Sequence, residues 1–135
     1  MNIVAILFSS CGKPAPAHVL LARDGTHVLI AGHDDSAGRA DARISGRLAV
    51  IRGHCLGIGA QGQESKNGTI VAWPEGTEVE DSDVLTIKLP TGTQLHLNDP
   101  VTGGGGVVTN GNSGGLVPQV PANCGKSQAV FLIDF

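Results

Sequence analysis

The sequence predicts an all-β domain: a small closed or partly open β-barrel of short antiparallel strands with glycine-rich loops. The 135 residues include 20 glycines and 7 prolines, a composition typical of short strands joined by tight turns. Apolar residues occur in short runs or alternate with polar ones, and no segment of ten or more residues keeps a 3.6-residue helical period. Since so small a sheet would otherwise leave exposed edges, closure into a barrel is expected.

Two segments predict hairpins. Residues 18–32 contain two apolar runs on either side of Asp24-Gly25, a dipeptide that favours a tight turn between strands. Residues 84–90 and 93–97 each alternate with period two, and Thr91-Gly92 joins them in the clearest hairpin of the chain. These two hairpins would supply four of about seven short strands.

The remaining strands are predicted from apolar runs that glycine or proline interrupts. They are one long strand or two short ones within 44–60, a strand over 69–74 and a last strand over 127–135. Pro74 ends the second of these runs because proline cannot donate to a strand ladder. The polar segments 33–43, 61–68 and 75–83 are predicted as loops or surface, and 98–125 as mostly loop with a short strand at 106–109.

The first residues resemble the end of a bacterial lipoprotein signal peptide. An apolar run (3–8) and two serines precede Cys11, which would carry the lipid and become the mature N-terminus. The run is short, a basic start is absent, and Phe8 stands where leucine is usual. We therefore expect a signal-peptide-like segment (1–10), a tether (11–17) and one barrel domain (18–135), with plain secretion or a buried first strand as alternatives.

Three cysteines leave one unpaired in any disulfide scheme. If Cys11 carries lipid, Cys55 and Cys124 remain as a pair, and an extracytoplasmic compartment permits a disulfide between them. The alternative is two unrelated buried thiols. The chain contains no Cys-x-x-Cys and no histidine at zinc-finger spacing, so we expect no metal and no cofactor.

The order of motifs after residue 44 resembles a group of small bacterial secreted proteins and lipoproteins without an established activity. The residues that carry the resemblance are SGRLAVIRGHCLGI (45–58), TIVAWPEGTEV (69–79), IKLPTGTQLHLNDPVTGGGG (87–106) and VPANCG (120–125). The resemblance implies an OB-like β-barrel tethered to the outer face of a membrane, and it favours the disulfide between Cys55 and Cys124. It supplies no catalytic residues.

Charge excludes one class of partner. The net charge is -3, basic residues form no stripe, and the aromatic residues are one Trp, three Phe and no Tyr. A nucleic-acid-binding protein is expected to show a basic patch and aromatic stacking residues, so no nucleic-acid partner is predicted. The predicted partners are the membrane, through the lipid on Cys11, and an unidentified ligand or protein of the cell envelope.

One short motif suggests an enzyme instead. Gly111-Asn112-Ser113-Gly114-Gly115 resembles the nucleophile loop of chymotrypsin-like serine proteases, and His33 with Asp81 or Asp83 would complete the His–Asp–Ser order. The chain is short for the two barrels of that fold, and the glycines around Ser113 favour a permissive loop over a rigid oxyanion hole. A minimal serine hydrolase using Ser113 and His33 is the alternative function, and a non-enzymatic binding or structural module is the preferred one.

Other residues with chemical potential receive weaker interpretations. Trp73, His54 and His96 are candidate ligand-facing residues, although a lone Trp before proline is more often part of a core. Gly32-His33-Asp34-Asp35 could supply an imidazole and two carboxylates to a metal, joined by His54 and His96 on predicted strands, although adjacent acids in a loop more often form a solvated turn. The glycines of 102–106 lack the Gly-Lys-Ser/Thr ending of a phosphate-binding loop. For this run we expect a loop where backbones pass closely, or a bulge.

Overall fold

The computed structural model describes residues 16–32, 42–59, 68–109, 116–124 and 129–135. Within these ranges the chain is nearly all β, as predicted, with one short 3₁₀ turn at Ala122–Cys124. The strands are β1 (His18–Leu21), β2 (His27–Ile30), β3 (Ala42–Ile51), β4 (Cys55–Gly59), β5 (Thr69–Trp73), β6 (Glu78–Glu80), β7 (Thr86–Lys88), β8 (Gln94–His96), β9 (Pro100–Thr109) and β10 (Ala129–Asp134).

Seven strands form one sheet whose hydrogen bonds close into a ring. The sheet runs in the order β1-β2-β4-β3-β9-β10-β5, and β5 pairs back onto β4 through Gly57 opposite Ile70. β2 joins at this seam, where it is parallel to both β4 and β5: His27 lies opposite Cys55 and Leu29 opposite Ala72. Closure removes most of the exposed edges, which is the physical reason for predicting a barrel.

The strands of the ring bury side chains on both faces. Along β5, Val71 and Trp73 point into one group of apolar residues, whereas Ile70 and Ala72 point into another. The first core consists of Val28, Ile30, Leu48, Leu56, Ile58, Val71, Trp73, Ile87, Leu89, Val101, Phe131 and Ile133. The second core consists of Leu29, Ala31, Ala49, Ile51, Cys55, Ile70, Ala72, Val117, Val120, Cys124, Val130 and Leu132. Two-sided burial explains why these strands read as continuous apolar runs.

A second, three-stranded sheet covers the first core. β6, β7 and β8 pair antiparallel in chain order. Ile87 and Leu89 are buried in the first core, and Leu85 and Leu95 pack against it from the same sheet. The period-two alternation of this hairpin therefore places its leucines and isoleucine inwards, while Lys88 faces outwards.

Both predicted hairpins are present. In the first, Gly25 N–H donates to the carbonyl of Ala22 at 3.0 Å, and Asp24 Oδ1 accepts from the backbone N–H of Thr26 at 2.9 Å. In the second, Gly92 N–H donates to Leu89 O at 2.8 Å. Both turn glycines have positive φ, 93° and 96°, the conformation for which glycine is favoured. β5 ends at Trp73, directly before Pro74, and β10 lies within the predicted last strand.

The glycine run was predicted wrongly as loop. β9 extends over ten residues and includes all four glycines of 103–106. It pairs with β3 on one side and β10 on the other. The close approach of backbones that we expected is present: a Cβ on Gly103 would lie 2.8 Å from Ile133 Cδ1, and a Cβ on Gly105 would overlap the carbonyl oxygen of Leu132. At Gly103 and Gly105, strand residues with a side chain would not fit against the neighbouring strand β10.

The strand count and the position of His54 also differ from the prediction. The described residues form ten strands rather than about seven, partly because Glu78–Glu80, predicted as surface, is β6. Residues 44–60 contain two strands, and His54 lies in the turn between them instead of on a strand. Arg52 and Gly53, at the centre of this turn, both have positive φ, so the tight reversal forms at a place that no Asn-Gly or Asp-Gly marks.

In the part of the chain that the structure describes, no helix has the length and hydropathy needed to cross a membrane.

Two adjacent glycines of β9 provide a matched stability test. Gly105 has φ of 140° and no room for a Cβ, whereas a Cβ on Gly104 would meet only Ala42 O at 3.7 Å, an ordinary contact. We expect Gly105→Ala to lower the free energy of unfolding by about 2 kcal/mol or more. Gly104→Ala should change it by no more than about 0.5 kcal/mol. Equal denaturant midpoints for the two variants would contradict the placement of β9.

Candidate functional site

A disulfide lies at the seam of the ring. Cys55, the first residue of β4, is bonded to Cys124, the last residue of the 3₁₀ turn, with their Cα atoms 5.7 Å apart. The structure therefore contains the bond that the sequence predicted between residues 69 positions apart. Both cysteines have no exposed surface and belong to the second core.

The disulfide holds a separate segment of chain over the second core. Val117 and Val120 are buried there, and Leu116 packs against the same residues. Within the described part of this segment, the only regular element is the 3₁₀ turn, in which Cys124 N–H donates to Pro121 O at 2.9 Å. The bond to β4 is thus a covalent attachment for a cover that has little secondary structure of its own.

Two histidines and an asparagine surround the bond. His27 is half-buried, and one of its ring nitrogens lies with the sulfur atoms of Cys55 and Cys124 in a group whose members are all within 4.8 Å of one another. The parallel pairing of β2 with β4 positions it: His27 N–H donates to His54 O at 2.7 Å. On the exposed side, Asn123 Nδ2 donates to His54 Nδ1 at 3.3 Å. We call these five residues the disulfide–histidine cluster.

A small polar groove lies elsewhere on the surface. It has a volume of about 260 Å³ and lies between the turn of the β1–β2 hairpin and the segment that joins β6 to β7. Its lining residues are Ala22, Arg23, Asp24, Glu80, Ser82, Asp83 and Leu85. Beside it, Arg23 Nη1 donates to Asp81 Oδ1 at 2.8 Å across an exposed ion pair. Carboxylates outnumber guanidinium groups in the lining, so the groove is acidic.

The three candidate ligand-facing residues do not come together in the groove. Trp73 is completely buried in the first core, where its ring stacks near Phe135 with ring centres 6.4 Å apart. His96 is exposed on β8, and its Nδ1 lies 3.3 Å from Asp99 Oδ2. His54 belongs to the disulfide–histidine cluster. The structure thus places Trp73 in the core, which was the more common alternative for such a residue.

The residues of the hydrolase alternative are only partly described. Cys11, His33 and Ser113 lie outside the described residues, whereas Asp81 and Asp83 are both exposed, and Asp83 lines the groove. Gly32, the last described residue before His33, donates its N–H to the carbonyl of Leu116 at 2.8 Å, and Leu116 is the first described residue after Ser113. The segments that carry His33 and Ser113 therefore leave the described structure at neighbouring points.

Sequence reasoning missed His27. No spacing relates residue 27 to residues 55 and 124, because their proximity results from the pairing of β2 with β4 across the closed ring. Parallel pairing between distant strands leaves no local pattern in the sequence. The one available signal is that His27 begins a short buried strand, which by itself indicates nothing about a cysteine.

Removing the disulfide should lower stability strongly. The bond closes a loop of 69 residues. Loop-closure entropy therefore predicts that the unfolding free energy of the Cys55→Ala/Cys124→Ala variant is about 4 kcal/mol lower than that of the oxidised, unchanged chain. Denaturant titration measures the loss. As a control, adding a reductant should lower the unfolding free energy of the unchanged chain to a value close to that of the double variant. Identical midpoints for both proteins under oxidising conditions would show that the bond contributes nothing.

Comparisons with protein-family models, with curated proteins and with solved structures gave no match to this chain. What the protein does must therefore be argued from its own residues: the disulfide–histidine cluster, the acidic groove and the segments on either side of the Gly32–Leu116 hydrogen bond.

Proposed function

We propose that the protein is a non-enzymatic module of the cell envelope, either secreted or attached to the membrane by a lipid on Cys11. The observation that carries the proposal is the Cys55–Cys124 disulfide, which fixes the 116–124 segment over the second core. Such bonds form and persist in oxidising, extracytoplasmic compartments and are uncommon in the reducing cytosol.

The architecture suits a scaffold that presents a surface. Among the described residues, the first core is covered by the three-stranded sheet and the second by the 116–124 segment. We infer that a ligand binds at the surface, where the acidic groove is a concave region that offers polar groups. The carboxylates of Asp24, Glu80 and Asp83 favour a cationic ligand there.

Intact mass tests the anchor. We expect the chain, expressed in a bacterial host from Met1 with a C-terminal tag, to yield a membrane-associated product that begins at Cys11 and carries acyl groups. Lipidation requires the thiol of that residue, so Cys11→Ser should release the protein from the membrane fraction. A mature chain that begins at another, unmodified residue would exclude the lipid anchor and leave the secreted form.

The hydrolase is the second candidate, and one observation favours keeping it. The Gly32–Leu116 hydrogen bond joins the described flanks of the segments that carry His33 and Ser113. A serine nucleophile requires a histidine within hydrogen-bonding distance to accept its proton, and adjacent flanks are compatible with this chemistry. The non-enzymatic module is the function we prefer.

A fluorophosphonate probe separates the two candidates, because it reacts with activated serines. The module should remain unlabelled. A hydrolase would be labelled, would lose the label in Ser113→Ala, and would keep it in Ser82→Ala, a matched change at an exposed serine that lines the groove. Labelling that both variants retain would place the reactive group elsewhere and reject Ser113 as the nucleophile.

A further inference from the structure

The sulfur atoms of Cys55 and Cys124 share their surroundings with an imidazole. The two sulfurs and a ring nitrogen of His27 all lie within 4.8 Å of one another. A tetrahedral zinc ion with Zn–S bonds of about 2.3 Å and a Zn–N bond of about 2.1 Å requires its ligand atoms to be roughly 3.5–4 Å apart. The three atoms therefore lie near one another at close to this spacing, with the two sulfurs nearer than a zinc site requires because they are bonded.

We propose that Cys55, Cys124 and His27 bind Zn²⁺ when the disulfide is reduced, so that this position carries either a covalent bond or a metal ion. Two thiolates and an imidazole are ligands that zinc prefers, and three protein ligands leave a fourth position for water. This inference concerns the reduced chain and is independent of the lipid anchor and of the hydrolase alternative.

The exchange balances with a dithiol as the reductant. The dithiol transfers two electrons and two protons to the Cys55–Cys124 bond and becomes a disulfide itself, which leaves two protein thiols. Zn²⁺ then binds both sulfurs and displaces the two protons into solvent. The sulfurs must move from bonding distance to a separation of about 3.8 Å, set by the tetrahedral geometry.

The surroundings of His27 are suited to hold its ring. Its Nδ1 lies 3.3 Å from the carbonyl oxygen of His54. A carbonyl can only accept, so this contact favours the tautomer with the proton on Nδ1 and the lone pair on Nε2. Metal-bound histidines commonly donate their other ring N–H in this way, which fixes the orientation of the ring. His27 is also half-buried, whereas the two cysteines have no exposed surface, so part of this residue is accessible to solvent.

The structural consequence is that the 116–124 segment stays attached in both states. The disulfide joins Cys124 to β4 and, through it, the cover to the second core. A zinc ion held by the same sulfurs would make the same connection and would add β2 to it through His27. The chain could then keep its second core covered in a reducing environment that contains zinc.

Cobalt titration tests the site, with Cys11→Ser as the background so that only two thiols remain. After reduction and removal of the reductant without oxygen, we expect one equivalent of Co²⁺ to produce a thiolate charge-transfer band and tetrahedral visible bands that Zn²⁺ abolishes. His27→Gln should weaken binding by about tenfold or more. His96→Gln, which removes an exposed histidine far from these residues in sequence, should leave it unchanged. The oxidised protein should give no band.

Two results would overturn the proposal. One is a reduced chain that stays folded by circular dichroism yet shows no thiolate–cobalt band. The other is a His27→Gln variant that binds cobalt as tightly as the background protein. If the reduced chain unfolds without metal, the measurement becomes the recovery of the β-strand circular dichroism signal when metal is added. Zn²⁺ must then restore that signal in the background protein but not in Cys55→Ser/Cys124→Ser.

Discussion

Strands β2, β5 and β10 carry apolar side chains on both faces, and this constraint determines what the other segments must do. Many antiparallel sheets expose one face to water. Here Ile70 and Ala72 on one face of β5 are buried, and so are Val71 and Trp73 on the other. Each face therefore requires a cover. The three-stranded sheet covers the first core, and the 116–124 segment covers the second.

The two covers are held by different means. The three-stranded sheet has its own ladder of backbone hydrogen bonds, and its alternating residues present an apolar face to the core. The 116–124 segment belongs to neither sheet: it contains a 3₁₀ turn, the buried Val117 and Val120, and Leu116, whose carbonyl accepts from Gly32 N–H. The bond at Cys124 adds a covalent attachment to a segment that lies outside both strand ladders.

The parts of the fold that the sequence predicted are those encoded by neighbouring residues. Asp24-Gly25 and Thr91-Gly92 mark hairpins because a tight turn needs particular residues at particular positions. The long strand β9 was not predicted, since a glycine run ordinarily indicates a loop. Its strand conformation depends on Ile133 and Leu132 of β10, which are distant in sequence and leave no space for side chains at Gly103 and Gly105. Likewise, the pairing of Cys55 with Cys124 could be inferred from counting cysteines, whereas the position of His27 could not.

The position of the disulfide–histidine cluster follows from how the ring closes. β2 enters at the seam where β5 returns to β4, and its parallel alignment with β4 sets His27 opposite Cys55. Parallel neighbours begin at the same end of the sheet, so the first residues of β2 and β4 meet at one edge, which the end of the 116–124 segment also reaches through Cys124. Two sulfurs and an imidazole thus converge because closing the ring and attaching the cover occur at the same place. The disulfide that attaches the cover is therefore also the group beside which β2 places an imidazole.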